Sequence, residues 1–157
     1  ADAVPLVRIA SELGWQVTIH DHRPAFLTEE RFPVADELVE LDRDSTPNLA
    51  TDNQTAIVSM NHNYDRDKEM LCVALRSNAF YVGALGPKKR TLQILDELGN
   101  PFDESQLSRL RAPAGLDIGA DTPEAIAISI IAEIQSVLKN RTGGPLRDRQ
   151  ASIYDRK

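Results

Sequence analysis

The chain has 157 residues, 41% of them hydrophobic and 27% charged, with 24 Asp and Glu against 18 Lys and Arg for a net charge of −6. These are the proportions of a globular domain, and the acidic balance argues against general affinity for nucleic acid or an anionic membrane. No apolar run approaches the about 20 residues that span a bilayer, and no signal peptide is visible; the lone cysteine, Cys72, rules out an internal disulfide and suits a reducing compartment, so a cytoplasmic location is expected.

In chain order, residues 2–13 read as a helix capped by Asp2, with Leu6, Ile9, Ala10 and Leu13 on one face and Gly14 as its stop. Trp15 to His20 is rich in β-formers and runs into Asp21-His22-Arg23-Pro24. Asp21 thus ends a strand that follows a helix, the place where a dinucleotide-binding unit sets its ribose-reading carboxylate about 20 residues after a glycine turn. Counted back from Asp21, that turn would fall at or before residue 1; no G-x-G-x-x-G and no strand precede the first helix.

An α/β rhythm follows. Phe26 to Phe32 is a polar connection, Glu37 to Leu41 a strand, and Ser45 to Asn53 a loop or short helix. Thr55 to Met60 is a strand ending at Asn61-His62-Asn63-Tyr64, and a helix runs from Asp65 or Arg66 to Ser77. Cys72, among Leu71, Val73 and Leu75, reads as a buried structural thiol. Ala79 to Leu85 is the next strand, followed by Gly86-Pro87-Lys88-Lys89-Arg90, a helix through Leu98, and a short helix over 106–111. Ala112 to Gly119 is a glycine-bearing loop that leads into Thr122 as N-cap and Pro123 at N1. The helix behind it carries Ala127, Ile130, Ile131, Ile134 and Leu138 at helical spacing, with Ile126 and Ile128 widening the stripe, and is read as buried. Strands alternating with helices imply a mostly parallel sheet with right-handed crossovers, an α/β fold in three layers. One Rossmann-like domain is expected over residues 1–140, lacking its first strand and glycine turn, with an exposed tail over 141–157.

Ligands of an open parallel sheet bind outside the carboxyl ends of its strands. Asp21 is placed to accept from a diol, and Arg23 to pair with a phosphate, a reading that their position favours over a plain strand-end ion pair. His22 and His62 stand at strand ends, His62 as a hydrogen-bonding group. His20 and His22 alternate on one side of an extended segment, but Pro24 soon breaks that geometry, so no metal is expected. Lys88, Lys89 and Arg90 oppose the dipole of the helix they open, which makes sense where an anion sits among them and the amides near Gly83 and Gly86. Gly115, Asp117 and Gly119 shape the second glycine corner. No evident acid–base pair for hydride chemistry is visible, and no catalytic residue is assigned.

Taken together, Pro5-Leu6, Leu13-Gly14-Trp15, Asp21-His22-Arg23-Pro24, Arg31-Phe32-Pro33, His62-Asn63-Tyr64 with Asp67, Tyr81-Val82-Gly83-Ala84-Leu85-Gly86, Pro113-Ala114-Gly115-Leu116-Asp117-Ile118-Gly119-Ala120 and Thr122-Pro123-Glu124-Ala125 resemble the carboxy-terminal domain of the XdhC/CoxI proteins. The resemblance covers roughly residues 1 to 146, with Pro87 standing where that family more often has a small hydroxyl residue. It implies a Rossmann-like domain of a maturation factor that binds molybdenum cofactor (molybdopterin), assists its sulfuration and hands it to a xanthine dehydrogenase-type apoenzyme. It further implies a homodimer, work alongside a cysteine desulfurase, and no turnover of its own. It also implies a longer polypeptide, with a separate amino-terminal domain and a strand and glycine turn ahead of residue 1. An NAD(P)-dependent oxidoreductase on the same fold is the alternative, drawn from Asp21 and Arg23.

Overall fold

The computed structural model describes residues 3–42, 46–61 and 63–153. Helix α1 (Ala3–Glu12) leads through Gly14, at φ 75°, into strand β1 (Thr18–Asp21), which pairs in parallel with β2 (Glu37–Glu40). The expected cap at Asp2 lies outside the described residues. Strand β1 starts later than its β-forming sequence does, because Val17 spends its backbone groups on Asp36 and Glu37. A short 3-10 turn over Pro24–Phe26 sits inside the connection.

The second ladder holds β3 (Ala56–Ser59), β4 (Tyr81–Ala84) and β5 (Leu110–Arg111), all parallel. Helix α2 (Tyr64–Arg76) connects β3 to β4; α3 (Lys88–Glu97) and α4 (Glu104–Ser108) connect β4 to β5; α5 (Pro123–Leu138) closes the fold. The strand orders are β2-β1 and β3-β4-β5. In a doubly wound sheet of order 3-2-1-4-5-6, the first strand lies between these two ladders. None of the described residues takes that position, in keeping with the fold expected from the sequence.

Side-chain alternation on β4 divides the core into two faces. Tyr81 packs with Ile130 and Ile134 of α5, joined by Leu6 of α1 and by Trp15, Ala56 and Val58. Val82 turns the other way, onto Leu71, Ala74 and Leu75 of α2 and Ile94 and Leu95 of α3, with Ile57 and Leu110 alongside. Helices therefore cover both faces, the arrangement that a parallel sheet requires. Cys72 is only partly buried against this second cluster, because its place on α2 lies at the edge of the packed face.

Three expectations are corrected. Residues 106–111 are not one helix: Asp103 and Gln106 form a capping box that starts α4 early, and Leu110–Arg111 pair with β4 as a strand. Arg109 stands between the two, donating to the carbonyls of Leu75, Ser77 and Ala79 at 2.7, 2.9 and 2.5 Å and so satisfying the end of α2. Helix α5 is not covered all round. Ile128 and Leu138 are 52% and 42% exposed, since α1 and the sheet cover only the face that carries Ala127, Ile130, Ile131 and Ile134. Leu13, expected on the inner face of the first helix, is exposed because it falls beyond α1 in the turn before Gly14.

Candidate functional site

Parallel pairing puts the carboxyl ends of the strands of each ladder on one edge, and neighbouring loops touch along that edge. At the tip of β1, Arg23 donates from Nε to Asp21 Oδ1 at 2.9 Å and from Nη2 to Oδ2 at 2.8 Å, while its backbone N–H adds a bond to Oδ1 at 3.0 Å. Burial would push the Asp21 carboxyl up, but these donors outweigh it and hold the pKa below the ordinary value. His22 Nδ1 lies 3.6 Å from the same carboxylate. Asp21 and Arg23 are thus joined as a bidentate pair.

A narrow crevice connects this tip to the end of β3. It is lined by His20, Asp21 and His22 from one side and by Asn61, Arg66 and Glu69 from the other. His20 enters the site although its position within a strand gave no sign of it; burial lowers its pKa, against the opposing field of Glu37, and its Nδ1 has no hydrogen-bond partner. His62 lies outside the described residues. Asn63 caps α2, its side chain accepting from the Arg66 amide at 3.1 Å.

Between β3 and β4 sits a buried polar group. Ser59 Oγ donates to Asp67 Oδ1 at 2.9 Å, Asn61 Nδ2 donates to Ser59 Oγ at 3.2 Å, and Arg90 Nη2 meets Asp67 Oδ2 at 2.5 Å. Burial raises the pKa of Asp67 in spite of these partners. Arg90 is therefore turned inward onto a carboxylate, with its guanidinium 5.8 Å from the Tyr64 ring, and does not stand beside the other two cations of its run. Lys88 and Lys89 remain exposed at the start of α3 and have no ion-pair partner among the described residues. Gly86, at φ 122°, has almost nothing where a Cβ would stand, so its backbone is open to approach.

Gly83 serves a different purpose. A Cβ there would come within 3.1 Å of Ala114 Cβ and 2.7 Å of the Tyr81 ring, so the glycine lets the loop after β5 pass close over β4. Ala114 N–H donates to the carbonyl of Ala84 at 3.0 Å. From there the loop is strapped to α5. Glu133 Oε2 accepts from Tyr81 Oη at 2.7 Å and from Gly115 N–H at 2.8 Å, and Ser129 Oγ donates to the Leu116 carbonyl at 2.5 Å. Burial, then the Glu133 carboxylate, drives the Tyr81 hydroxyl pKa upward and keeps it a donor. Beyond this strap Asp117, Ile118 and Gly119 are exposed, with Gly119 at φ 71°. Thr122 then caps α5, accepting from the Ala125 amide at 3.2 Å.

The loops at Asp21, Asn61, Gly86 and Gly115 consequently form a continuous row, each touching the next through the crevice, the Asp67 group and the bond from Ala114 to Ala84. Sequence reasoning assigned no role here to Asp67, Ser129 or Glu133. The last two were signalled only as polar residues inside an otherwise apolar helix. Among the described residues no three His, Cys, Asp or Glu converge as metal ligands, and no helix is long and apolar enough to cross a membrane.

This geometry has known relatives. The chain is 34% identical over 134 residues to a protein of Bacillus subtilis named as a probable xanthine dehydrogenase subunit, a match covering 85% of this chain and 39% of that protein. It is 34% identical over 89 residues to the molybdenum cofactor insertion chaperone PaoD of Escherichia coli, covering 55% of this chain and 27% of the other. A crystal structure described as a xanthine dehydrogenase from Bacillus halodurans superposes with a TM-score of 0.76 at 31% identity, over 96% of this chain and 41% of that one. The chain therefore spans about two fifths or less of the length of these relatives. The family model of the XdhC Rossmann domain matches residues 1–134, and the chain belongs to that family.

Proposed function

We propose that this domain binds molybdenum cofactor along the carboxyl rim of its sheet and assists the insertion of that cofactor, after sulfuration, into a xanthine dehydrogenase-type apoenzyme. The observation that carries the reading is the continuous row of loops on one rim of a domain whose relatives include a molybdenum cofactor insertion chaperone. The residues suit the group. Lys88 and Lys89, without an ion-pair partner among the described residues, stand beside the open backbone of Gly86, a fit for a phosphate, while Asp117 and Gly119 offer an exposed acceptor and a free corner for the edge of a pterin. Molybdenum cofactor, when bound, supplies redox chemistry to the recipient enzyme; the residues here bind, orient and release. His22 and Gly115 belong to the same rim, the latter by fixing the loop, and His62 is kept in the proposal for its neighbour Asn61. A homodimer, a cysteine desulfurase partner and a cytoplasmic setting complete the reading.

The alternative, an NAD(P)-dependent oxidoreductase, draws on the position of Asp21 at a strand tip. Against it, both Asp21 oxygens already hold Arg23.

The test is an anoxic titration of the purified chain with molybdenum cofactor released from a molybdenum hydroxylase, reading retained pterin by fluorescence after gel filtration. Retention by the wild type, with a loss of about tenfold in affinity for Asp117→Ala and for Lys88→Gln with Lys89→Gln, supports the proposal. Failure of the wild type to retain the pterin, or tight NADPH binding with dye reduction, refutes it.

A further inference from the structure

The Gly86 corner leads into α3 without a local anchor. Pro87 stands at the N-cap, and its side chain offers no acceptor to close the helix end. The Arg90 amide reaches the Pro87 carbonyl at 2.9 Å, which tightens the turn but does not fix where it rests on the sheet. That is left to the Arg90 side chain. Its Cδ lies 3.8 Å from where a Gly86 Cβ would stand, so the stem passes directly beneath the corner. Its head meets Asp67 Oδ2, and the other oxygen of that carboxylate accepts from Ser59 Oγ at 2.9 Å. One carboxylate, its side chain 8% exposed, thereby joins the end of β3, the first turn of α2 and the corner after β4.

Helices α2 and α3 share a second tie. Glu97, at the far end of α3, accepts from Lys68 Nζ at 2.8 Å and from Tyr64 Oη at 3.0 Å. This tie is exposed, where an ion pair contributes little. The surroundings of Asp67 are different. The small cavity beside it is lined by Ser59 from β3, Leu71 from α2, Ala84 and Leu85 from the end of β4, and Thr91 and Ile94 from α3; Arg90 is the charged group opposite the carboxylate. Asn61 adds an amide through Ser59, and the Tyr64 ring lies by the guanidinium with its hydroxyl turned to Glu97.

We infer that Asp67 is a positioning residue of the rim: through Arg90 it fixes the Gly86 corner, which stays in place only while that carboxylate is ionised. Its effect on ligand binding rests on the cofactor reading, in which Gly86, Lys88 and Lys89 receive the anionic end of the ligand; the coupling of the corner to Asp67 does not. Protonation removes the charge that holds Arg90, and a guanidinium left unpaired in the interior turns out toward water. Burial favours the protonated carboxyl, so this release falls above the ordinary carboxylate range as the pH drops.

The test is hydrogen exchange of the full chain from about pH 8 down to about pH 5, expressed as protection factors so that the intrinsic pH dependence of exchange cancels. Thermal melting shows that each variant is folded. In the wild type the Gly86, Lys88 and Lys89 amides are expected to lose about tenfold in protection as the pH falls. Asp67→Asn shows the lower protection throughout, with no response to pH, and Arg90→Lys lies between. Glu97→Gln matches the wild type at the corner. Wild-type protection there in a folded Asp67→Asn overturns the inference, as does a pH response that persists in that variant. So does a Glu97→Gln that loosens the corner as much, since the tie is then a general one between helices. Pterin retention is read in parallel at neutral pH: where the wild type retains it, Asp67→Asn is expected to weaken retention about tenfold, and undiminished retention overturns the positioning role. Failure of the wild type to retain pterin refutes the cofactor reading alone, and hydrogen exchange still decides the coupling.

Discussion

At the scale of single residues, two glycines of the loop before α5 meet different constraints. Gly115 has φ 111°, and a Cβ there would overlap Ser129 Oγ, the atom that holds the Leu116 carbonyl. Gly119 has φ 71° but nothing within 4 Å of its Cβ position. Gly115→Ala is therefore expected to destabilise the chain by about 2–4 kcal/mol, through backbone strain and the displaced hydroxyl together. Gly119→Ala carries only the left-handed penalty, about 1 kcal/mol. Paired thermal melts check this, and equal losses for the two variants contradict it. Gly83 teaches the same lesson: its lack of a side chain admits a neighbouring loop, whereas from the sequence it looked like part of an anion cradle.

At the scale of elements, α4 depends on its cap. The five residues of Glu104–Ser108 are too few to be stable as an isolated helix. Asp103 Oδ1 accepts from the Gln106 amide at 2.8 Å, and Gln106 Oε1 accepts from the Asp103 amide at 3.0 Å. Asp103→Ala removes half of this reciprocal pair and is expected to cost about 1 kcal/mol, seen as a lower midpoint in urea denaturation with an unchanged slope. The cap also explains why the short helix read over residues 106–111 is split. Its start was set two residues upstream, at Glu104 behind the Asp103 cap, and Leu110 and Arg111 were claimed by hydrogen bonds to β4. Helix propensity in a segment this short is too weak to resist a partner strand.

At the scale of the whole molecule, the two ladders do not share the core equally. Both buried clusters are built on β3 and β4 with α2, α3 and α5, joined by α1 and Trp15; the side chains of β1 and β2 belong to neither. In native-state hydrogen exchange, the amides of β1 and β2 are therefore expected to open at lower free energy than those of β3 and β4. Equal protection across both ladders runs against this. The consequence for function is that Asp21, at the tip of β1, sits on the more labile half of the rim, while Asp117 directly follows the Gly115–Leu116 segment that Glu133 and Ser129 hold on the firmer half.

The sequence by itself determined the α/β order, the helix cap at Thr122, and the strands whose tips carry Asp21, Asn61 and Gly86. Each of these rests on local patterns of period, capping and turn chemistry, which need no distant partner. Only the tertiary structure decided which polar groups are already spoken for. Arg90 and Arg23, read as anion ligands, are paired with Asp67 and Asp21; Glu133 and Ser129, unremarked within an apolar helix, hold the last loop in place. The reason is physical: an ion pair or a strap is set by distances across the fold, between residues as far apart in sequence as Tyr81 and Glu133, and no local pattern encodes which charge will meet which.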